Sequence, residues 1–235
     1  MTERQTGDVD IAVVGSLLGD RARVAMLSRV LARPDSPAGE LARCAGIAPS
    51  TAASHLQKLS DAGLLSVTRR GRLRLYRLGS TEVAHAMEAL AVLAPAMPVR
   101  SFQQSRDAEA LRVARSCYDH LAGRLGVRLH DELLRQRMIR RTGEQDYDIT
   151  EKGLHLLSGV GVDGKALRET RRLLARVCLD WSERTPHLAG ALGAALLEQF
   201  LDRMWLERNS ESRSLRVTAR GRRGLLNWFG FDSHV

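Results

Sequence analysis

The chain has 235 residues, of which 44% are hydrophobic and 27% charged, and its formal net charge is +9. This balance is ordinary for a globular protein and excludes a disordered one, and the length allows more than one compact unit. Aromatic residues make up only 4%, so a core built on Leu, Ala and Val is expected, which favours helices. No run approaches the ~20 apolar residues of a membrane span. The N-terminus has no apolar signal core, so we expect a cytoplasmic protein.

The first ninety residues predict short helices followed by a β-hairpin. Helices are predicted over residues 10–18, after an N-cap at Asp20, from Ser36-Pro37 to a C-cap at Gly46, and over residues 50–62. Strands are predicted over residues 64–67 and 73–78, with Gly71 between them, and Ser80 caps a further helix to residue 93. This order predicts a winged helix-turn-helix over residues 8–94, followed by a linker over residues 95–106.

The positive charge is concentrated in this region, where residues 50–78 carry six basic residues against one acidic residue. A basic segment of this density is typical of a surface that binds a polyanion. Its helix has hydroxyls on one face and apolar Ala52, Leu56 and Leu59 on the other, as a helix in the DNA major groove requires. Arginines at the hairpin can reach phosphates or an adjacent minor groove. The candidate DNA-binding residues are Ser50, Thr51, Ser54, His55, Lys58, Arg69, Arg70, Arg72 and Arg74.

Four motifs occur in register along this region. They are Ala48-Pro49-Ser50-Thr51-Ala52-Ala53-Ser54-His55-Leu56-Gln57-Lys58-Leu59, Ala62-Gly63-Leu64-Leu65, Gly71-Arg72 and Tyr76-Arg77-Leu78. Together they resemble the ArsR family of bacterial repressors, over roughly residues 10–93. The resemblance implies a dimeric repressor that leaves its operator when an inducer binds, with the first helix and the helix after Ser80 forming the dimer interface. The family's usual metal-ligand sets are incomplete here, since the brace helix has only Cys44 and the last helix only Glu82, His85 and Glu88.

The remainder, residues 107–235, contains an internal repeat with copies at about 112–163 and 173–232. The matching pairs include Ala114-Arg115-Ser116-Cys117-Tyr118-Asp119 with Ala175-Arg176-Val177-Cys178-Leu179-Asp180, His120-Leu121-Ala122-Gly123 with His187-Leu188-Ala189-Gly190, and Thr150 and Gly153 with Thr218 and Gly221. Each copy is predicted as helix, helix, polar hairpin and short helix. The predicted fold is therefore mainly α with small β-hairpin wings: an N-terminal winged helix-turn-helix followed by two degenerate winged-helix-like repeats.

Cysteine and histidine recur at equivalent positions of the two copies, which predicts that Cys117 lies near Cys178 and His120 near His187 if the copies pack about a twofold axis. The candidate effector or switch residues are Cys117, Asp119, His120, Cys178, Asp180, Trp181 and His187. Four interpretations stay open: buried structural cysteines, a Cys2His2 metal shell, a thiol redox switch, or an organic ligand between the copies. No metal ligand is assigned, and no cofactor is expected.

These patterns predict a sequence-specific, DNA-binding transcriptional regulator, a homodimeric repressor that reads a palindromic operator and is released by a small-molecule, metal or redox effector. The alternative is a DNA-binding architectural or protein-interaction module without sequence preference. An enzyme is not expected, because the chain has no Gly-rich phosphate loop, nucleophile elbow or His-Glu-x-x-His helix. A hydrolase built on Cys178 and His187 has no local signature to support it.

Overall fold

The computed structural model describes residues 9–95, 98, 101–210 and 212–232. The chain divides into two compact units, Met1–His85 and Ala86–Val235. The predicted boundary at residue 8, residues 96, 97, 99 and 100 of the predicted linker, and residues 233–235 of the predicted C-terminal domain lie outside the described residues. No helix in the described part of the chain is long and apolar enough to cross a membrane.

The first unit consists of short helices and an antiparallel sheet with the strand order β1-β3-β2. Its elements are α1 (Ile11–Leu18), α2 (Arg21–Ala32), β1 (Ser36–Pro37), α3 (Ala38–Ala45), α4 (Pro49–Asp61), β2 (Leu65–Arg70), β3 (Leu73–Leu78) and the start of α5 (Thr81–Leu93). Two of the predicted caps are confirmed: Asp20 accepts a hydrogen bond from the Arg23 amide at 2.9 Å, and Gly46 ends α3 in the left-handed conformation at φ 65°. Buried Met26, Leu27 and Leu56 contribute to the core.

The start of α3 differs from the prediction. Ser36 and Pro37 form the short strand β1, with Ser36 paired to Tyr76 of β3, and the helix begins at Ala38. Pro37 has extended backbone angles and Ser36 is fully buried, because both residues pair with β3 as an edge strand of the sheet. The structure thus has all the elements of a winged helix-turn-helix in the first unit: the helix pair α3 and α4, and the wing β2–β3.

The second unit repeats one order of elements, hairpin, helix, hairpin and helix. The first set is β4 (Arg115–Cys117), β5 (His120–Ala122), α7 (Arg124–Arg135), β6 (Ile139–Arg141), β7 (Asp146–Ile149) and α8 (Glu151–Gly159). The second set is β8 (Ala175–Leu179), β9 (Pro186–Ala189), α10 (Gly190–Asp202), β10 (Leu206–Arg208), β11 (Leu215–Val217) and α11 (Ala219–Phe229). Two helices lie outside these sets: α6 (Phe102–Val113), which begins within the range predicted as linker, and the short α9 (Gly164–Arg168).

Each set opens with a β-hairpin, so the prediction of a helix at that point is wrong for both copies. Cys117 pairs with His120 and Cys178 with His187. The turn after Cys117 has Tyr118 at φ 58°, and the loop after Cys178 has Arg184 at φ 58°. Neither position carries the glycine or asparagine that is typical of a tight hairpin turn, so no local turn signal marks these two hairpins.

The two sets also exchange backbone hydrogen bonds. The Val177 amide donates to the Gln145 carbonyl at 2.8 Å, and the Ser116 amide donates to the Arg213 carbonyl at 2.9 Å. Strand β7 pairs with β8, so that β6, β7, β8 and β9 form one four-stranded sheet. The hairpin β10–β11 is linked to the hairpin β4–β5 by an isolated antiparallel bridge between Ser214 and Arg115. One apolar core, which includes Leu125, Leu192 and Phe200, contains residues of both sets.

Candidate functional site

The helix α4 exposes a polar face of the kind that DNA reading requires. Pro49 occupies its first turn, after Ala48 in an extended conformation. Ala52, Leu56 and Leu59 are buried and hold the helix on the core. Four of the five predicted contact residues on this helix are exposed: Ser50, Thr51, Ser54 and Lys58. Hydroxyl and ammonium groups on one exposed face can contact phosphates and base edges together.

His55 differs from the other four, because it is half-buried. Its Nδ1 lies 3.3 Å from Nη1 of Arg23, and Arg23 also donates to the Leu17 carbonyl at 2.7 Å. The ring therefore helps to hold α4 against α2. Gln57 is an exposed residue of α4 that the sequence reasoning missed, and its amide donates to Asp61 at 2.6 Å. Its position one residue before Lys58, on a helix already assigned to DNA reading, was the available signal.

The wing carries the predicted arginines on exposed positions. Arg69 and Arg74 are directly paired across the antiparallel strands β2 and β3, and Gly71 allows the tight turn between them at φ 61°. Within the ranges that the structure describes, none of Arg69, Arg70, Arg72 and Arg74 forms an ion pair. Like charges on facing strand positions repel each other, so this hairpin is better suited to contact a phosphate backbone than to stabilise the fold.

In the second unit, the opening hairpins bring four potential metal ligands together. Cys117 and His120 come from β4 and β5, and Cys178 and His187 come from β8 and β9. Their ligand atoms all lie within 4.8 Å of one another. The two Sγ atoms are 3.8 Å apart, and the two Nε2 atoms are 3.1 Å apart. The predicted proximity of both pairs is confirmed, and we call these four residues the Cys-His cluster.

Three members of the cluster are buried, with Cys117 at 1% exposure and both imidazoles at 0%, whereas Cys178 is half-buried. Hydrogen bonding from Cys117 lowers the pKa of the Cys178 thiol, and His120 and His187 lower it further against the effect of burial. The same hydrogen bond, together with burial, raises the pKa of Cys117. Burial lowers the pKa of His120, but hydrogen bonds with Asp119 and Cys178 outweigh it, so the net shift is upward.

A carboxylate stands behind each imidazole. Asp119 Oδ1 lies 3.1 Å from His120 Nδ1, and Asp180 Oδ2 lies 3.5 Å from His187 Nδ1. Asp119 hydrogen-bonds to the His120 ring, whereas the buried His187 Nδ1 only approaches Asp180 and has no hydrogen-bond partner among the described residues. The Nε2 atoms of the two rings are directed at the cluster. Asp119 is held in turn by Arg172 at 2.5 Å.

Asp180 is the centre of a second, fully buried arrangement. Its Oδ1 pairs with Nη2 of Arg115 at 2.9 Å, and both side chains are 0% exposed. Its Oδ2 accepts from the Gly123 amide at 2.7 Å. Burial raises the pKa of Asp180, but the charge of Arg115 outweighs it and holds the pKa well below its usual range. Trp181 packs over the Arg115 guanidinium at 4.4 Å. Neither Arg172 nor the pairing of Arg115 with Asp180 was predicted from the sequence. Arg115 was predicted to lie on a helix, where this pairing is not apparent.

The exposed polar helix and the basic wing define a winged helix-turn-helix DNA-binding domain, and the chain is a transcriptional regulator of that class. The family model described as "Helix-turn-helix domain" matches residues 18–68. The HTH-type transcriptional regulator YdfF of Bacillus subtilis (strain 168) is 41% identical over 226 residues, which cover 96% of this chain and 97% of that protein. The chain therefore belongs to the family of HTH-type transcriptional regulators.

Solved structures resemble part of the chain. One is the homodimeric winged helix-turn-helix DNA-binding domain of Mb0332 from Mycobacterium bovis, which is described as a possible ArsR-family regulator. It is 27% identical to this protein, and the match covers 38% of this chain and 89% of the Mb0332 chain with a TM-score of 0.33. Another is reduced HlyU from Vibrio cholerae, which is 26% identical, covers 37% of this chain and 90% of that chain, and has a TM-score of 0.33.

Proposed function

We propose that this regulator is an ArsR-type repressor that binds a palindromic operator as a homodimer and leaves it when an effector binds the second unit. The observation that carries the proposal is the pairing of an exposed hydroxyl-bearing helix, α4, with an arginine wing free of ion pairs within the described ranges. The helix supplies base contacts and the wing supplies phosphate contacts, a division typical of sequence-specific regulators.

Two variants separate these roles. Ser54→Ala should weaken operator binding by about 1–3 kcal/mol while leaving scrambled DNA unaffected, because a base contact carries the sequence information. Arg72→Ala should weaken binding to both DNAs and lower the salt slope by about one counterion, because a phosphate contact releases one ion. The measurement is a titration of operator and scrambled duplexes at several salt concentrations, with Ser158→Ala on α8 as the control.

A DNA-binding architectural protein without sequence preference would give the opposite result in the same titration. If wild-type protein binds operator and scrambled DNA with similar affinity, base readout is wrong and a protein without sequence preference is favoured. If Arg72→Ala leaves the salt slope unchanged, the wing is a solvated loop.

The dimer is supported by the first helix, which is apolar yet exposed. None of the residues of α1 is buried, and Ile11 and Val13 are exposed at 75% and 54%. A second apolar surface lies on α5, where Leu93 is exposed at 80%. Exposed apolar side chains clustered on one short helix such as α1 are unusual in a monomer, and a second copy of the chain would cover them in a closed twofold interface. Half-sites about one helical turn (~10 bp) or a small multiple apart would match such a dimer.

A charge on this helix should break the dimer. Val13→Glu introduces two carboxylates into a symmetric apolar interface, and we expect the dissociation constant of the dimer to rise by at least about tenfold, or 1.4 kcal/mol. Analytical ultracentrifugation across a concentration series measures it. Val67→Glu, at a half-exposed wing position, is the control and should leave the dimer intact. A wild-type monomer at micromolar concentration would contradict the assembly.

We further propose that the second unit is a duplicated, pseudo-symmetric pair of winged-helix-like repeats and that effector binding occurs where their first hairpins meet. The matching hydrogen bonds of Ser116 and Val177 support the duplication. Beside Cys117, the Ser116 amide donates to the Arg213 carbonyl, and the Arg213 side chain pairs with buried Glu88 of α5.

A further inference from the structure

We propose that the Cys-His cluster is a zinc site, in which Cys117, His120, Cys178 and His187 bind one ion per chain. The four ligand atoms converge from two hairpins onto a common point, within 4.8 Å of one another. Two thiolates and two imidazoles are the ligand set that tetrahedral zinc prefers. The regulatory consequence rests on the proposed function above, whereas the binding itself does not.

The spacing of the ligand atoms fits a tetrahedral ion. Zinc bonds of ~2.3 Å to sulfur and ~2.0–2.1 Å to nitrogen place two sulfurs ~3.8 Å apart and two nitrogens ~3.3–3.4 Å apart at tetrahedral angles. The structure has Cys117 and Cys178 Sγ at 3.8 Å and His120 and His187 Nε2 at 3.1 Å. Both distances agree with those of a tetrahedral zinc ion to within a few tenths of an ångström.

The surroundings favour a cation as well. Metal-bound histidines usually direct their second ring nitrogen at a carboxylate or carbonyl, which fixes the ring and its tautomer. Asp119 and Asp180 occupy that position behind His120 and His187. Each of these acids is neutralised by an arginine. A divalent ion with two thiolates then makes the buried site neutral overall, which the low-dielectric interior requires.

A disulfide between the two cysteines explains less of this arrangement. It accounts for the sulfur pair alone and leaves two buried imidazoles with their Nε2 atoms directed at each other. A single ion satisfies all four ligand atoms at once.

The direct test is cobalt binding by the full-length, reduced and metal-stripped protein under anaerobic conditions. We expect visible absorption bands of tetrahedral cobalt that saturate at one equivalent per chain and disappear when zinc is added. Absence of these bands in the reduced protein would overturn the site, and it would do so whether or not the oxidised protein contains a Cys117–Cys178 disulfide.

Variants locate the ion. Cys178→Ser should lower the apparent cobalt affinity at least ~100-fold, because it removes a ligand. Asp119→Asn should lower it ~10–100-fold through the orientation of His120, and Asp119 is partly exposed, so this variant does not depend on a core change. Cys44→Ser, at the exposed cysteine of α3, is the matched control and should bind as the wild type does. Wild-type stoichiometry and spectrum in Cys178→Ser would overturn the assignment.

Operator binding by the metal-free and zinc-loaded protein separates this inference from the proposed function. A difference in operator affinity of tenfold or more identifies zinc as the effector. Zinc binding without such a difference supports the site and contradicts zinc release of the repressor. Protein that binds its operator but no metal overturns the site and leaves the repressor proposal standing.

Discussion

Arg115→Met is expected to destabilise the second unit by about 3–5 kcal/mol, because it leaves the buried carboxylate of Asp180 without its partner. Both side chains of this pair are 0% exposed, so water cannot replace the lost guanidinium. Urea unfolding followed by tryptophan fluorescence measures the effect on this unit alone, since Trp181, Trp205 and Trp228 all belong to it. Chelator in every sample keeps bound metal out of the comparison.

The internal repeat provides a matched control for this variant. Arg176 occupies the position in β8 that Arg115 occupies in β4, but it is only half-buried and forms no ion pair among the described residues. Arg176→Met should therefore change the unfolding free energy by less than about 0.5 kcal/mol. Adding Asp180→Asn to Arg115→Met removes the unpaired charge and should recover part of the loss. Equal effects of the two arginine variants would show that the buried pair contributes nothing specific.

Much of the first unit could be predicted from the sequence because its signals are local. Asp20 accepts from the amide of Arg23, and Gly46 takes the left-handed conformation that ends α3. Cap residues of this kind act within a few positions of the chain. The start of α3 was less predictable, because the extended Ser36-Pro37 segment is fixed by pairing with β3, which is distant in the sequence.

The second unit shows where local signals end. The matching sequence positions correctly predicted that Cys117 lies near Cys178 and His120 near His187. The same reasoning placed these residues on helices, and the structure has them on hairpins. Strands of three to five residues with turns at Tyr118 and Arg184 carry no glycine signal, and pairing between the repeats decides their conformation. The role of these residues remains a prediction.

The arginine positions illustrate the consequence of that error. On a helix, residues two apart point in different directions, so Arg115 was not expected to share a face with Cys117. On a strand, residues two apart lie on the same face. Arg115 and Cys117 both belong to β4, and the arginine extends to Asp180, the acid that stands behind His187. Because Arg115 lies on a strand and not on a helix, it reaches Asp180 and so contacts the acid beside His187 of the Cys-His cluster.

Gly221→Ala should destabilise the second unit by about 1–3 kcal/mol, although alanine is the better helix former. Gly221 lies in α11, where exchange for alanine would ordinarily stabilise by roughly 1 kcal/mol. Here a Cβ would overlap the carbonyl oxygen of Trp205, a backbone atom that cannot rotate away, and overpacking of this kind costs about 1–3 kcal/mol and occasionally more. The Gly221 amide also donates a hydrogen bond to Oγ1 of the N-cap residue Thr218 at 2.9 Å, so the start of the helix cannot shift freely.

Gly153, at the matching position of the first set of elements, provides a second test of the same close contact within the second unit. Gly153 packs on the carbonyl of Met138 in the same way and receives the cap of Thr150 at 3.0 Å, so Gly153→Ala should give a loss of similar size. Gly143→Ala is the control, because its added methyl would have only Asp146 Oδ2 at 3.9 Å nearby. All three are measured by tryptophan-detected urea unfolding. A gain in stability from Gly221→Ala would mean that helix propensity, and not the close contact between α11 and Trp205, decides this position.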